Sequence, residues 1–208
     1  MSYLLLLIIL SGLLHITGLY VKSPSLKMVF KPITTALIIY LAFLQGGSSF
    51  PFYKIMILIG LGLSLAGDIF LMLPRERFVA GLVSFLLAHI FFIVAFTANG
   101  GPFWNWIYLA PVFVYFALLS NILLKHTEKM TLPVVIYSLV ILFFVWQAAG
   151  RYNLQPTVSA TYGFYGAVLF VLSDSLLAYN KFVRTLKTAP ALVMVLYWAA
   201  LYFLALSI

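Results

Sequence analysis

Residues 53–73 read YKIMILIGLGLSLAGDIFLML, an apolar run that carries one acid, Asp68, inside it. A membrane-spanning helix needs about 20 mostly apolar residues, and this run has that length. It is too long for a strand and does not alternate apolar with polar as a barrel strand does. The same pattern recurs along the chain. Spans are expected at 3–20, 30–45, 53–73, 78–98, 103–123, 131–149, 158–180 and 189–207, with charges, Gly and Pro marking the breaks. The fold class read from this is all-α: a polytopic membrane protein of eight helices forming one integral membrane domain over 1–208.

Composition agrees. Of 208 residues, 65% are hydrophobic and 8% charged, against about a quarter charged in a soluble domain. That supply cannot build a water-exposed surface, which excludes an ordinary soluble enzyme and a disordered chain. Absence of Cys excludes a disulfide scaffold. The net charge of +8 suggests nucleic acid at first sight, but the basic residues fall between spans, so none is expected as a partner. The first span has no Lys or Arg before its apolar stretch and no small-residue cleavage site, and reads as a retained helix rather than a signal peptide.

Loop charge sets the expected orientation. Lys22, Lys27, Lys31, Arg75, Arg77, Lys125, Lys129, Lys181, Arg184 and Lys187 fall in odd-numbered loops, whereas even-numbered loops hold Lys54 and Arg151. The odd loops are therefore expected to be cytoplasmic, with both termini on the other side of a cell membrane. Trp104 and Trp106 then fit an interfacial aromatic belt.

Four acids exist. Glu76 and Glu128 sit in loops beside basic residues and read as solvated charge. Asp68 and Asp174 lie inside spans, where a carboxylate costs roughly 2.5–3.5 kcal/mol on insertion scales. Each stands seven residues before a basic residue, Arg75 or Lys181, on helices running the same way. Both therefore lie about 10 Å in from that boundary at the helical rise. Small residues precede both, as Gly67-Asp68 and Ser173-Asp174, and small residues let helices approach closely. Gly60, Ser64 and Asp68 share one face; Gly163, Ala167, Phe170 and Asp174 share another. The two carboxyls are expected to face each other inside the bundle. In low dielectric both do not ionise easily, so one holds a proton while the other stays charged, as acid–base hydrolysis requires. The plainer reading is that each Asp only bonds a neighbouring helix.

Other polar groups reach this layer. His15 stands seven residues before Lys22. Lys31 opens the second span beside Pro32, placed to pair with a carboxylate, bind a lipid phosphate, or snorkel to the interface. His89 lies nearer the midplane, on one face with Gly81 and Phe85. Tyr165, Tyr197 and Trp198 are candidates to line a cavity; His126 reads as solvated. Lys31, His15, His89, Ser173 and Tyr197 are the expected substrate-binding or supporting residues. No metal is expected, because no two His share helical ligand spacing and no ligand motif occurs. No cofactor is expected. Asp68 and Asp174 are 106 apart, and Pro32 and Pro133 are 101 apart, each pair at matching places in the two halves. A 4 + 4 parallel duplication is one reading of those offsets.

Several of these segments together resemble the YhhN family, which includes the vertebrate transmembrane lysoplasmalogenases. They are Lys31-Pro32, Gly67-Asp68-Ile69-Phe70-Leu71-Met72, the Phe78, Gly81, Phe85, His89 series, Gly166 through Phe170, Ser173-Asp174 and Tyr197-Trp198. The chain departs from the pattern after the aromatic pair: a Gln is expected there, and Ala199-Ala200-Leu201 stands instead. The resemblance implies eight membrane helices and hydrolysis of the vinyl ether bond of lysoplasmalogens to a fatty aldehyde and a glycerophospho-headgroup. It also implies that Asp68 and Asp174 are the catalytic pair. The expected partners are the bilayer and a lysophospholipid substrate. Rival readings are a proton-coupled transporter or a lipid-binding membrane protein using the same aspartates, and a metal-dependent membrane hydrolase.

Overall fold

Ser23 starts the second helix earlier than its charges suggest. Its side chain accepts the Leu26 amide, and Pro24 occupies the first turn, where a missing N–H costs nothing. In a computed structural model of the chain, which describes residues 2–46, 51–73, 77–98, 100–104 and 106–208, the helices are α1 (Ser2–Tyr20), α2 (Pro24–Leu44), α3 (Pro51–Met72) and α4 (Phe78–Thr97), then α5 (Trp106–Leu123), α6 (Thr131–Leu154), α7 (Val158–Phe182) and α8 (Ala189–Leu206). All eight are long and apolar enough to cross a membrane, and no strand occurs among the described residues. Arg75 and Glu76 lie outside the described residues.

Two boundaries differ from the sequence expectation. Lys27 and Lys31 lie on α2, not in the first loop, and α2 continues through Pro32. The helix α6 runs on past 149 to Leu154 because Arg151 finds partners inside the bundle. Its guanidinium lies over the Tyr53 ring at 4.5 Å, and its nitrogens donate to Tyr53 Oη at 2.9 Å and Ser159 Oγ at 2.8 Å. Lys54 donates to the Phe43 and Gln45 carbonyls, closing the C-terminal end of α2.

Helix packing follows the small residues. A Cβ at Gly60 would fall 2.3 Å from the Phe92 ring, and one at Gly67 would fall 2.7 Å from Phe85. These two positions bring α3 against α4. Gly60→Ala is therefore expected to destabilise the bundle by about 1–3 kcal/mol through overpacking, read as a lower melting temperature in detergent. The centre is aromatic: Phe92, Phe144 and Phe170 are fully buried, and Phe96 stacks on Phe144 at 5.6 Å. Outward faces are apolar too, for example Leu6, Leu10 and Leu13 on α1 and Phe113, Val114 and Leu118 on α5. Such a surface suits hydrocarbon, not water.

The contacts α1–α2, α2–α3 and α3–α4 recur as α5–α6, α6–α7 and α7–α8. The cross contacts α4–α6 and α8–α2 also exchange under a shift of four helices, the pattern a duplicated chain would have. Near the start of α2 and the end of α7, Lys27 and Lys181 line one cavity together with Phe78 at the start of α4.

Candidate active site

Asp68 sits on the inner face of α3 and is 1% exposed. Lys31 and Thr35, one turn apart on α2, both reach it. Lys31 Nζ is 3.1 Å from Oδ1, and Thr35 Oγ1 donates to Oδ2 at 2.7 Å. From α8, Tyr197 Oη donates to the same Oδ2 at 2.9 Å. Trp198 Nε1 donates to Thr35 Oγ1 at 3.2 Å and completes the network. One cation and two hydroxyl donors surround the carboxyl, which is what a buried ion pair needs to offset its desolvation. Lys31 therefore does not snorkel: its side chain is 10% exposed and turned to Asp68.

Asp174 has other company. The Tyr137 hydroxyl, from α6, donates to Oδ2. His89 Nε2, from α4, stands 4.0 Å from the same oxygen. His89 is wholly buried among Phe92, Tyr137, Phe144 and Phe170, with Phe170 closest at 4.5 Å between ring centroids. Among the described residues its ring nitrogens make no well-formed hydrogen bond, and the Phe85 backbone one turn back interacts with the ring. Asp174 is 12% exposed and opens into a chamber of about 60 Å³ walled by Leu71, Phe78, Leu82, Phe85 and Tyr137.

The two carboxyls thus have separate partners instead of each other. Tyr197 bonds Asp68 alone of the two. The half-sites also correspond. Asp68 on α3 takes a hydroxyl from α2 and a ring from α8; Asp174 on α7 takes a hydroxyl from α6 and a ring from α4. A shift of four helices converts one arrangement into the other, except that Lys31 serves the first alone.

Of the other expected residues, His15 bonds the Lys27 carbonyl through Nδ1 at 3.1 Å and meets Trp198 edge-on at 5.3 Å. With Lys27, Lys31, Asn180 and Lys181 it lines a polar cavity of about 430 Å³ at the basic end. That cavity shares Leu71, Phe78 and Leu177 with the Asp174 chamber, so the two adjoin. Ser173 donates to the Val193 carbonyl at 3.0 Å and joins α7 to α8 rather than touching either carboxyl. Tyr165 faces outward, half exposed. His126 bonds the Ile122 carbonyl in the fifth loop. Among the described residues no three His, Asp or Glu converge as metal ligands would.

Sequence reasoning missed Tyr137. One Tyr among 13 carries no mark of its own. The offsets offered a usable signal, because Tyr137 follows Thr35 by 102 residues, close to the spacings of the Pro and Asp pairs.

Residues 26–208 match the family described as "YhhN family". "Uncharacterized membrane protein YhhN" of Escherichia coli O6:H1 is 27% identical over 199 residues, covering 96% of this chain and 95% of that one. "Lysoplasmalogenase TMEM86B" of Rattus norvegicus is 31% identical over 177 residues, covering 85% of this chain and 70% of its own. "Lysoplasmalogenase homolog" of Dictyostelium discoideum is 26% identical over 198 residues, covering 75% and 63%. No solved structure matches.

Proposed function

The chain belongs to the YhhN family, and from that premise we propose that it is a membrane-embedded ether hydrolase that cleaves the vinyl ether bond of lysoplasmalogens. Asp174 is the observation that carries this reading. It is a carboxyl within a span, open to a chamber and held by a hydroxyl; the ionisable group beside it is an imidazole 4.0 Å away. Asp68 has an ammonium at 3.1 Å and stays charged, so Asp174 is the carboxyl free to carry a proton.

The steps balance as follows. Asp174 delivers its proton to the vinyl carbon that bears no oxygen, leaving an oxocarbenium ion at the carbon that does. Its carboxylate then takes a proton from a water that attacks that carbon. The resulting hemiacetal collapses: its hydroxyl proton passes to the glycerol oxygen, the C–O bond breaks, and aldehyde and glycerophospho-headgroup leave. Two carboxylates around an oxocarbenium-like state is also the glycosidase solution. Here the roles divide. Tyr137 orients Asp174 through its hydroxyl, and His89 stands beside it at 4.0 Å. Asp68 positions Tyr197 and supplies fixed negative charge behind the chamber. The headgroup phosphate lies in the polar cavity with Lys27 and Lys181, at the end that the basic loops assign to the cytoplasm.

Tyr137→Phe keeps the ring and removes the donor. Its expected effect is a fall in kcat of about tenfold, from the roughly 1.5 kcal/mol by which the hydroxyl stabilises the carboxylate that forms as the proton leaves. Steady-state assay of aldehyde release from purified protein checks it; unchanged kcat would remove Tyr137 from the mechanism.

A further inference from the structure

We infer that the groove between α5, α6 and α7 holds the hydrocarbon chain of the substrate, and that Ala149 and Phe164 at its far end set the longest chain accepted. This rests on the hydrolase reading above. The groove has a volume of about 340 Å³ and is lined by, among others, Tyr108, Val145, Ala149, Phe164 and Val168. It shares Leu119, Ser138, Ile141 and Ser175 with the Asp174 chamber. Ser175 adjoins Asp174 in the chain and accepts the Tyr115 hydroxyl at 2.8 Å, tying α5 to α7 where the groove begins. Beyond those two serines, the α6 and α7 side of the wall is apolar.

Length identifies the occupant. Along α7 the groove runs from Ser175 to Phe164, eleven residues or about 16 Å at the helical rise. Because Asp174 lies about 10 Å in from one boundary, the groove continues across the midplane of a bilayer core of about 30 Å, a depth that only hydrocarbon occupies. The side facing the bilayer is closed by α5, which buries Leu123 alone among its described residues and carries Pro111 within it. The chamber therefore lies between a cationic cavity and an apolar groove, in the order headgroup, reacting bond, chain.

The test has two arms. In the first, the full-length protein in lipid nanodiscs is irradiated with an alkyl-ether lysophosphatidylethanolamine carrying a diazirine at the chain end. Saturable labelling of peptides containing Tyr108, Ala149 or Phe164, competed by unlabelled alkyl lysolipid, is expected. Labelling spread over the outer faces of α1 and α2 and indifferent to competitor would overturn the inference, the groove then holding bulk lipid only. In the second arm, kcat/KM is compared for dodecenyl and octadecenyl lysoplasmalogens. Ala149→Trp should lower the long-chain to short-chain ratio by about tenfold or more, and Phe164→Ala should raise it, since a few methylenes in an apolar pocket are worth that much. Phe164→Ala keeps this arm decisive if the tryptophan prevents folding; an unchanged ratio would also overturn the inference. Competed groove labelling with no aldehyde from the wild-type protein would leave the chain site standing and remove the hydrolase.

Discussion

Asp174→Asn is expected to lower kcat for aldehyde release by about 10²–10⁴, the usual worth of a positioned general acid. The amide is the same shape and its oxygen still accepts the Tyr137 hydroxyl, so the chamber keeps its walls. It has no proton acidic enough for the vinyl carbon and cannot take one from water. KM should change little, because the headgroup and chain contacts lie in the neighbouring cavities. Thermal unfolding in detergent, run beside the assay, separates lost chemistry from lost fold. A variant that stays folded and keeps wild-type turnover would remove Asp174 from catalysis, and the acid would have to be sought elsewhere.

Lys31→Met is the variant with the largest expected effect on stability. It leaves the Asp68 carboxylate, which is 1% exposed, without its cation. Removing one partner of a buried ion pair costs about 3–5 kcal/mol, because the remaining charge has neither water nor counter-ion. The double variant Lys31→Met with Asp68→Asn should recover most of the loss: the amide is neutral, and its oxygen can still accept from Thr35 and Tyr197. Melting temperatures of the single and double variants, arranged as a cycle, measure the coupling directly. A single variant as stable as the wild type would mean that Asp68 is not held as a carboxylate by Lys31.

Depth along a helix is legible in a sequence, and the direction a side chain takes around the bundle is much less so. The seven-residue spacings of Asp68 and Asp174 from basic residues give their common depth from the helical rise alone. The same arithmetic goes with a His15 that meets Trp198, whose indole donates to Thr35 of the Asp68 network. Which partner each carboxyl meets depends on rotation of α2, α6 and α8, and nothing in a single chain's apolar runs encodes it. Lys31 is the clearest case. Lysine beside proline reads as a span boundary, yet Ser23 and Pro24 begin the helix earlier and carry Lys31 into the interior. Arg151 misleads in the same way, since cation–π contact with Tyr53 lets α6 continue past it. Ser173 shows the converse: its place beside Asp174 suggested a role at the site, whereas its hydroxyl turns to the Val193 carbonyl.

The central claim is that an acid buried in the membrane adds a proton to a vinyl ether. A defined lysoplasmalogen incubated with the purified, folded protein in deuterated water, with the aldehyde trapped at once and weighed by mass spectrometry, tests it most directly. The account predicts a fatty aldehyde bearing a single deuterium on the carbon next to the carbonyl, with an equal amount of free glycerophospho-headgroup. Intact lysolipid after prolonged incubation, or lipid moved between leaflets with no product formed, would contradict it.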